Sequence, residues 1–187
     1  MGWADEWEQV AADLGLDVTE RDTAQRPARI EGLVDGTPVQ ISWIVTPGTI
    51  HDQGLAGGES FTELVVLYGR SQLFPSGFSA TCTSRVGDRF RRSLVGRQIW
   101  VDQLPTMRIE GRWHCWRISA NDPNELRFWL TPRRRSALEK LLQSKGSPSI
   151  DRASLNVRYK WRVHISTSLV NDVVTIAKKL ESQPPPV

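Results

Sequence analysis

Between positions 155 and 164 the chain alternates without a fault. Leu155, Val157, Tyr159, Trp161 and Val163 fall on one side of an extended strand, and Asn156, Arg158, Lys160, Arg162 and His164 on the other. Eight residue steps at strand rise span roughly 27 Å, so three permanent cations, an amide and an imidazole would line one side of a sheet. Such a row suits two kinds of chemistry: neutralising the phosphates of a nucleic acid, or meeting an acidic protein surface. In the plainest case it is a solvated sheet face whose long stems cover the pleat. Arg133, Arg134 and Arg135 could extend the footprint, as could Arg89, Arg91 and Arg92 with Arg97. No RRM-type aromatic signature, zinc knuckle or helix-turn-helix accompanies these residues, and Tyr159 and Trp161 fall on the apolar side. A net charge of +3 is also modest for a dedicated nucleic-acid binder. The leading expectation is therefore a non-enzymatic protein-interaction or accessory subunit. Its partner would be a protein with an acidic surface or a second copy of the chain, with nucleic-acid binding as the alternative.

Other chemistry finds less support. A metal site needs three or four converging ligands, but His51, His114 and His164 are not paired at helical spacing, and adjacent His114 and Cys115 point to opposite sides of a strand. Cys82 and Cys115 stand far apart, outside any C-x-x-C spacing, and read as buried free thiols, ahead of a disulfide and then a zinc site. Gly54 to Ser60 has the glycines of a phosphate loop but no lysine, and it leads into a strand. No G-x-S-x-G elbow is present. The residual enzyme or small-ligand reading rests on a pocket beside the glycine-rich loop 46–58, with His51 and Asp52 as its polar candidates. We expect no catalytic residues, metal or cofactor.

The 187 residues suit one domain with a proper core. The longest apolar runs are strand-sized, well short of a membrane helix, and the acidic opening does not resemble a secretory signal. These features, with few cysteines, lead to an expected cytoplasmic location. Charge is sharply segregated. Residues 1–65 hold twelve acids and three basic residues, a balance of −9, whereas 85–162 hold eighteen basic residues and seven acids, a balance of +11. That asymmetry can hold two parts of one fold together, steer an anionic partner, or bind a second copy.

The elements that must position these residues follow from periodicity and punctuation. A helix is expected over 2–14, with Trp3, Trp7, Val10 and Leu14 on one stripe and Gly15 as its stop. The tryptophan pair reads as core, and as a partner-binding stripe in the alternative. A sheet region follows over 28–120, with Asp35-Gly36 as a type I′ hairpin turn and strands near 59–68, 78–84 and 113–120. Asp122-Pro123 and Thr131-Pro132 each pair an N-cap with a first-turn proline, so two helices are expected over 122–145. A closing hairpin and helix occupy 149–181, the helix carrying Leu169, Val173, Ile176 and Leu180, and residues 184–187 form a disordered tail. Irregular alternation of strands and helices argues against a parallel α/β fold. We expect a single α+β domain over 1–183: a mainly antiparallel sheet with helices packed on one face.

Several of these pieces together resemble small bacterial domains of unknown function from high-GC, actinobacterial-like organisms. The resemblance is carried by Arg29-Ile30-Glu31-Gly32 with Gly36 and Val39, Asp122-Pro123, Leu130-Thr131-Pro132 with Arg135, Ala137, Leu138 and Leu141, and the final helix ending in Ala177 and Leu180. It spans most of residues 28–181, departing in the 46–58 loop and the tryptophan content. It implies one domain and no particular activity.

Overall fold

The computed structural model describes residues 3–46, 59–69, 71–84, 106–109, 112–144, 146–160 and 165–182. Helix α1 (Trp3–Leu14) leads into strands β1 (Asp17–Arg21), β2 (Pro27–Val34), β3 (Thr37–Thr46), β4 (Glu59–Leu67) and β5 (Ser79–Ser84). Next come β6 (Thr106–Ile109), β7 (Arg112–Ser119), α2 (Pro123–Trp129) and α3 (Pro132–Gln143). Strands β8 (Ser147–Asp151) and β9 (Ser154–Lys160) and helix α4 (Thr167–Glu181) complete the order. Among the described residues nine strands form one sheet in the order β1-β2-β3-β4-β9-β8-β5-β7-β6, and each of their pairings is antiparallel. The expected α+β architecture, with helices on one face, is the one observed.

Local chemistry explains most of the boundaries. Gly15 ends α1 at φ +67°, and the Leu16 N–H donates back to the Ala11 carbonyl at 2.8 Å, closing a Schellman turn. Asp35 and Gly36 both take positive φ, 48° and 74°, as a type I′ turn requires, and Val34 pairs with Thr37 across it. The Asp122 side chain accepts from the Asn124 N–H at α2, the Thr131 hydroxyl from Arg134 at α3 and the Ser166 hydroxyl from Leu169 at α4. Pro132 separates α2 from α3 because it sits at the first position of the second helix and cannot continue the first. Two expectations need correction. Strand β1 lies ahead of the expected sheet region, and the closing hairpin opens at Ser147 rather than 149.

The helix-side core is a ladder of apolar positions running across the strands. Gly32, Val39, Val66, Leu155, Ile150, Ala80 and Ile118 are successive cross-strand partners from β2 to β7. All but the glycine are buried. Trp7, Val10 and Ala11 of α1 cover one part of this face, Leu138, Leu141 and Leu142 of α3 and Val170, Val173 and Val174 of α4 another. The Trp116 indole N–H donates to the Leu138 carbonyl at 3.0 Å, tying α3 to β7 inside the core.

Gly32 is where the chain leaving α1 crosses β2. A Cβ there would lie 2.9 Å from the Leu16 side chain and 3.3 Å from its Cα, and backbone cannot swing aside. We expect Gly32→Val to destabilise by about 1–3 kcal/mol, the usual cost of overpacking, read as a lower urea midpoint at unchanged slope. A wild-type midpoint would mean that the crossing is looser than drawn.

Candidate functional site

The described members of the expected cationic row, Asn156 and Arg158, lie on the sheet face opposite the helices, and their neighbours come from β4 and β8. One cross-strand row reads Glu20, Arg29, Ser42, Glu63, Arg158, Ser147 from β1 to β8. A second reads Asp17, Glu31, Gln40, Val65, Asn156, Ser149, Thr81, Arg117 from β1 to β7. Four carboxylates and three guanidiniums share these rows, so the described face is of mixed sign rather than a basic track.

Its groups also bond to one another. Arg158 Nε donates to Glu63 Oε1 at 2.7 Å, and its guanidinium lies over the Phe61 ring at 4.9 Å. Arg29 donates to Glu31 at 3.1 Å and to Gln40 at 2.8 Å, and Gln40 donates on to Ser42 at 2.9 Å. Asn156 donates to the Ser154 hydroxyl at 3.2 Å. The acidic N-terminal half thus supplies Arg158 with its counter-ion, one of the uses that charge segregation allows. Lys160 stands at the end of β9, its side chain outside the described residues along with Arg162 and His164.

The arginine triplet divides three ways. Arg133 is exposed and Arg135 partly buried. Arg134, expected to extend a phosphate footprint, is instead 3% exposed, with its guanidinium committed to the chain's own carbonyls. It donates to the carbonyls of Leu180 at 2.9 Å, Trp129 at 2.9 Å and Ser182 at 2.7 Å, and stacks 5.0 Å over the Trp129 ring. Burial lowers its pKa from the usual guanidinium value. Trp7, the described member of the candidate partner stripe, is 2% exposed and belongs to the core. The Trp3 side chain, Arg89, Arg91, Arg92, Arg97, His51, Asp52 and the tail 184–187 lie outside the described residues.

The unexplained features gather at one pole of the domain. Among the described residues four large apolar side chains are exposed: Leu33 at 61%, Leu67 at 45%, Phe128 at 82% and Val45 at 63%. Leu33 and Leu67 stand where β2 turns into β3 and β4 ends, and Phe128 stands on α2. Leu33 pairs with Pro38, and Pro38 and Leu67 together line a cleft of about 380 Å³ whose far wall is Lys178, Glu181 and Ser182 of the α4 end. A groove of about 490 Å³ opens nearby between the 72–76 turn and α2. Arg134 lines that groove while holding the Ser182 carbonyl, so the two hollows adjoin. Here too the Tyr68 hydroxyl, the Trp129 indole N–H and Glu181 Oε1 are buried without a hydrogen-bond partner. Sequence reading overlooked this pole. Its one signal was Phe128, an apolar residue on the polar side of an otherwise well-patterned helix.

Two tyrosines make the fold sensitive to alkali. Burial pushes the Tyr159 phenol up to about 12, and burial together with the negative charges of Asp151 and Glu181 pushes Tyr68 well above its ordinary value. A phenol whose folded pKa is raised leaves stability intact below pH 10, its unfolded value, because both states stay protonated. Above that the unfolded chain ionises first, so stability falls by about 1.4 kcal/mol per pH unit for each tyrosine, until pH passes the folded pKa. We expect the melting temperature to drop steeply between pH 10 and 12, and Tyr68→Phe to flatten the drop without lowering stability at pH 7. A flat profile in the parent protein would show that neither phenol is shielded.

Among the described residues no helix is long and apolar enough to cross a membrane, and no three His, Cys, Asp or Glu side chains converge to hold a metal ion. No protein-family model, curated protein or solved structure matches this chain.

Proposed function

We propose that this chain is a non-enzymatic protein-interaction or accessory subunit, and that it docks through its apolar pole rather than through the cationic row of β9. One observation supports this most: exposed Leu67 and Phe128 each line one of two adjoining hollows, with exposed Leu33 paired beside Pro38 at the first, while Arg29 and Arg158 on the described open face are already bonded to Gln40 and Glu63. Burying exposed apolar surface is the main driving force of association, whereas a rim of charge sets register and partner choice. Lys178 and Glu181 at the cleft, and Glu125 and Arg152 at the groove, would provide such a rim. The partner this surface fits is another protein. A phosphate backbone would need a track of one sign, and the described rows carry both signs.

Capture of partners from the native host tests the reading with two variants. The double variant Leu33→Asp/Leu67→Asp should lose the captured protein by about tenfold or more, the usual consequence of removing a central apolar anchor. Arg158→Glu, on the polar rows, should keep it. Loss with Arg158→Glu and retention with the double variant would return the docking surface to β9 and overturn the proposal.

A further inference from the structure

Resting on that reading, we infer that the cleft between the β2–β3 turn and the end of α4 accepts a lysine or arginine side chain of the partner protein. Its volume is about 380 Å³, with Pro38 and Leu67 on the apolar wall and Lys178, Glu181 and Ser182 facing them. Exposed Leu33 is the cross-strand neighbour of Pro38, so apolar surface continues outward from the cleft.

The charges around the cleft select a cation. Lys178 is already committed: its Nζ donates to the Asp35 carbonyl at 2.9 Å and lies 3.6 Å from Asp35 Oδ2. Arg134 is held by the carbonyls of Leu180 and Ser182. Glu181, by contrast, has no counter-ion or hydrogen-bond donor among the described residues, and its Oε1 is turned inward toward Gly69. Asp151 is bonded to Ala153 and Ser154 and to no cation among the described residues. Burial, then the charges of Asp151 and Glu181, hold the Tyr68 phenol well above its ordinary value, so two carboxylates act on the ground between Leu67 and Gly69. An arriving cation meets a carboxylate that no group of the chain has neutralised, and a charge-assisted bond there is stronger than a neutral one.

The walls decide what carries that cation. A metal ion needs several converging ligands, and no three His, Cys, Asp or Glu side chains converge among the described residues. A free ammonium ion would leave Pro38 and Leu67 uncovered. Lysine and arginine join a long aliphatic stem to a terminal charge. The stem lies along Leu67 and Pro38 while the head meets Glu181, and Leu33 outside the cleft takes an apolar neighbour of that side chain. No packing within the domain has to part for this, because the cleft is already open at the surface. At this cleft the partner thus contributes positive charge, opposite in sign to the acidic surface expected for the row on β9.

The test uses the full chain and the peptide acetyl-Leu-Arg-Leu-amide, with citrulline replacing arginine in a neutral control of the same shape. Titrations follow the backbone amide signals of Gly69 and residues 178–182. Saturable shifts are expected with the arginine peptide, about three- to tenfold tighter than with citrulline. Glu181→Gln should bring the arginine peptide down to the citrulline affinity and leave the citrulline peptide unchanged, which isolates the pair from any general effect of the substitution. Absence of saturable shifts at about 5 mM peptide, or an arginine preference that persists in Glu181→Gln, overturns the inference. If Leu33→Asp/Leu67→Asp still abolishes partner capture while the arginine peptide fails to bind, the pole remains the docking surface and only the basic anchor is ruled out.

Discussion

Arg134→Ala should lower the unfolding free energy by about 3–5 kcal/mol, the range for removing one member of a buried charged network. No carboxylate neutralises this guanidinium among the hydrogen bonds described for it. Its acceptors are carbonyls at the C-terminal ends of two helices, Trp129 of α2 and Leu180 and Ser182 of α4. Helix C-termini carry partial negative charge and unsatisfied carbonyls, so two helix ends aimed at one cation supply both the electrostatic partner and the hydrogen bonds. Alanine would strand three carbonyls, remove the stack on Trp129 and leave a hole beneath the groove. Arg134→Lys should fall between the two, since an ammonium keeps the charge but lacks the planar fork that reaches separate acceptors. Urea unfolding checks this; a loss below about 1 kcal/mol would mean that water replaces the arginine at those carbonyls.

The second large effect is expected at Trp7→Ala, again about 3–5 kcal/mol, the cost of emptying a large buried aromatic site. Trp7 is the largest fully buried side chain of α1 and packs with Val10 and Ala11 against the sheet. The substitution also separates the two readings of the N-terminal stripe. A core residue shows its loss as a lower urea midpoint in the isolated protein. A residue kept for a partner leaves the midpoint nearly unchanged and weakens only capture, and that result would contradict the placement of Trp7 in the core.

What could be read ahead of the structure was set by local chemistry. Asp35-Gly36 had to be a hairpin turn because few other residues tolerate two successive positive φ angles. Pro123 and Pro132, each preceded by a capping side chain, marked two helix starts for equally local reasons. The alternation of β9 assigned Leu155, Val157 and Tyr159 to the core side, where they are buried.

What escaped depended on pairing at a distance. Nothing near Arg158 in the chain indicates that its cross-strand neighbour is Glu63, 95 positions earlier. A row that is basic along one strand becomes mixed once β4 lies beside it. Strand β1 was missed because Asp17-Val18-Thr19-Glu20-Arg21 has almost no apolar content. It is an edge strand, and charge there discourages pairing with other chains. Arg134 had a usable signal: it stands four and seven positions ahead of Leu138 and Leu141, on the buried stripe of α3. Reading Arg133-Arg134-Arg135 as one cationic patch concealed that periodicity.

The docking surface is tested most directly by photo-crosslinking in the native host, with p-benzoylphenylalanine placed at Phe128 in one variant and at Ser149, within the polar rows, in another. The apolar-pole account predicts a discrete protein adduct from position 128 and none from position 149. An adduct from 149 alone would contradict it.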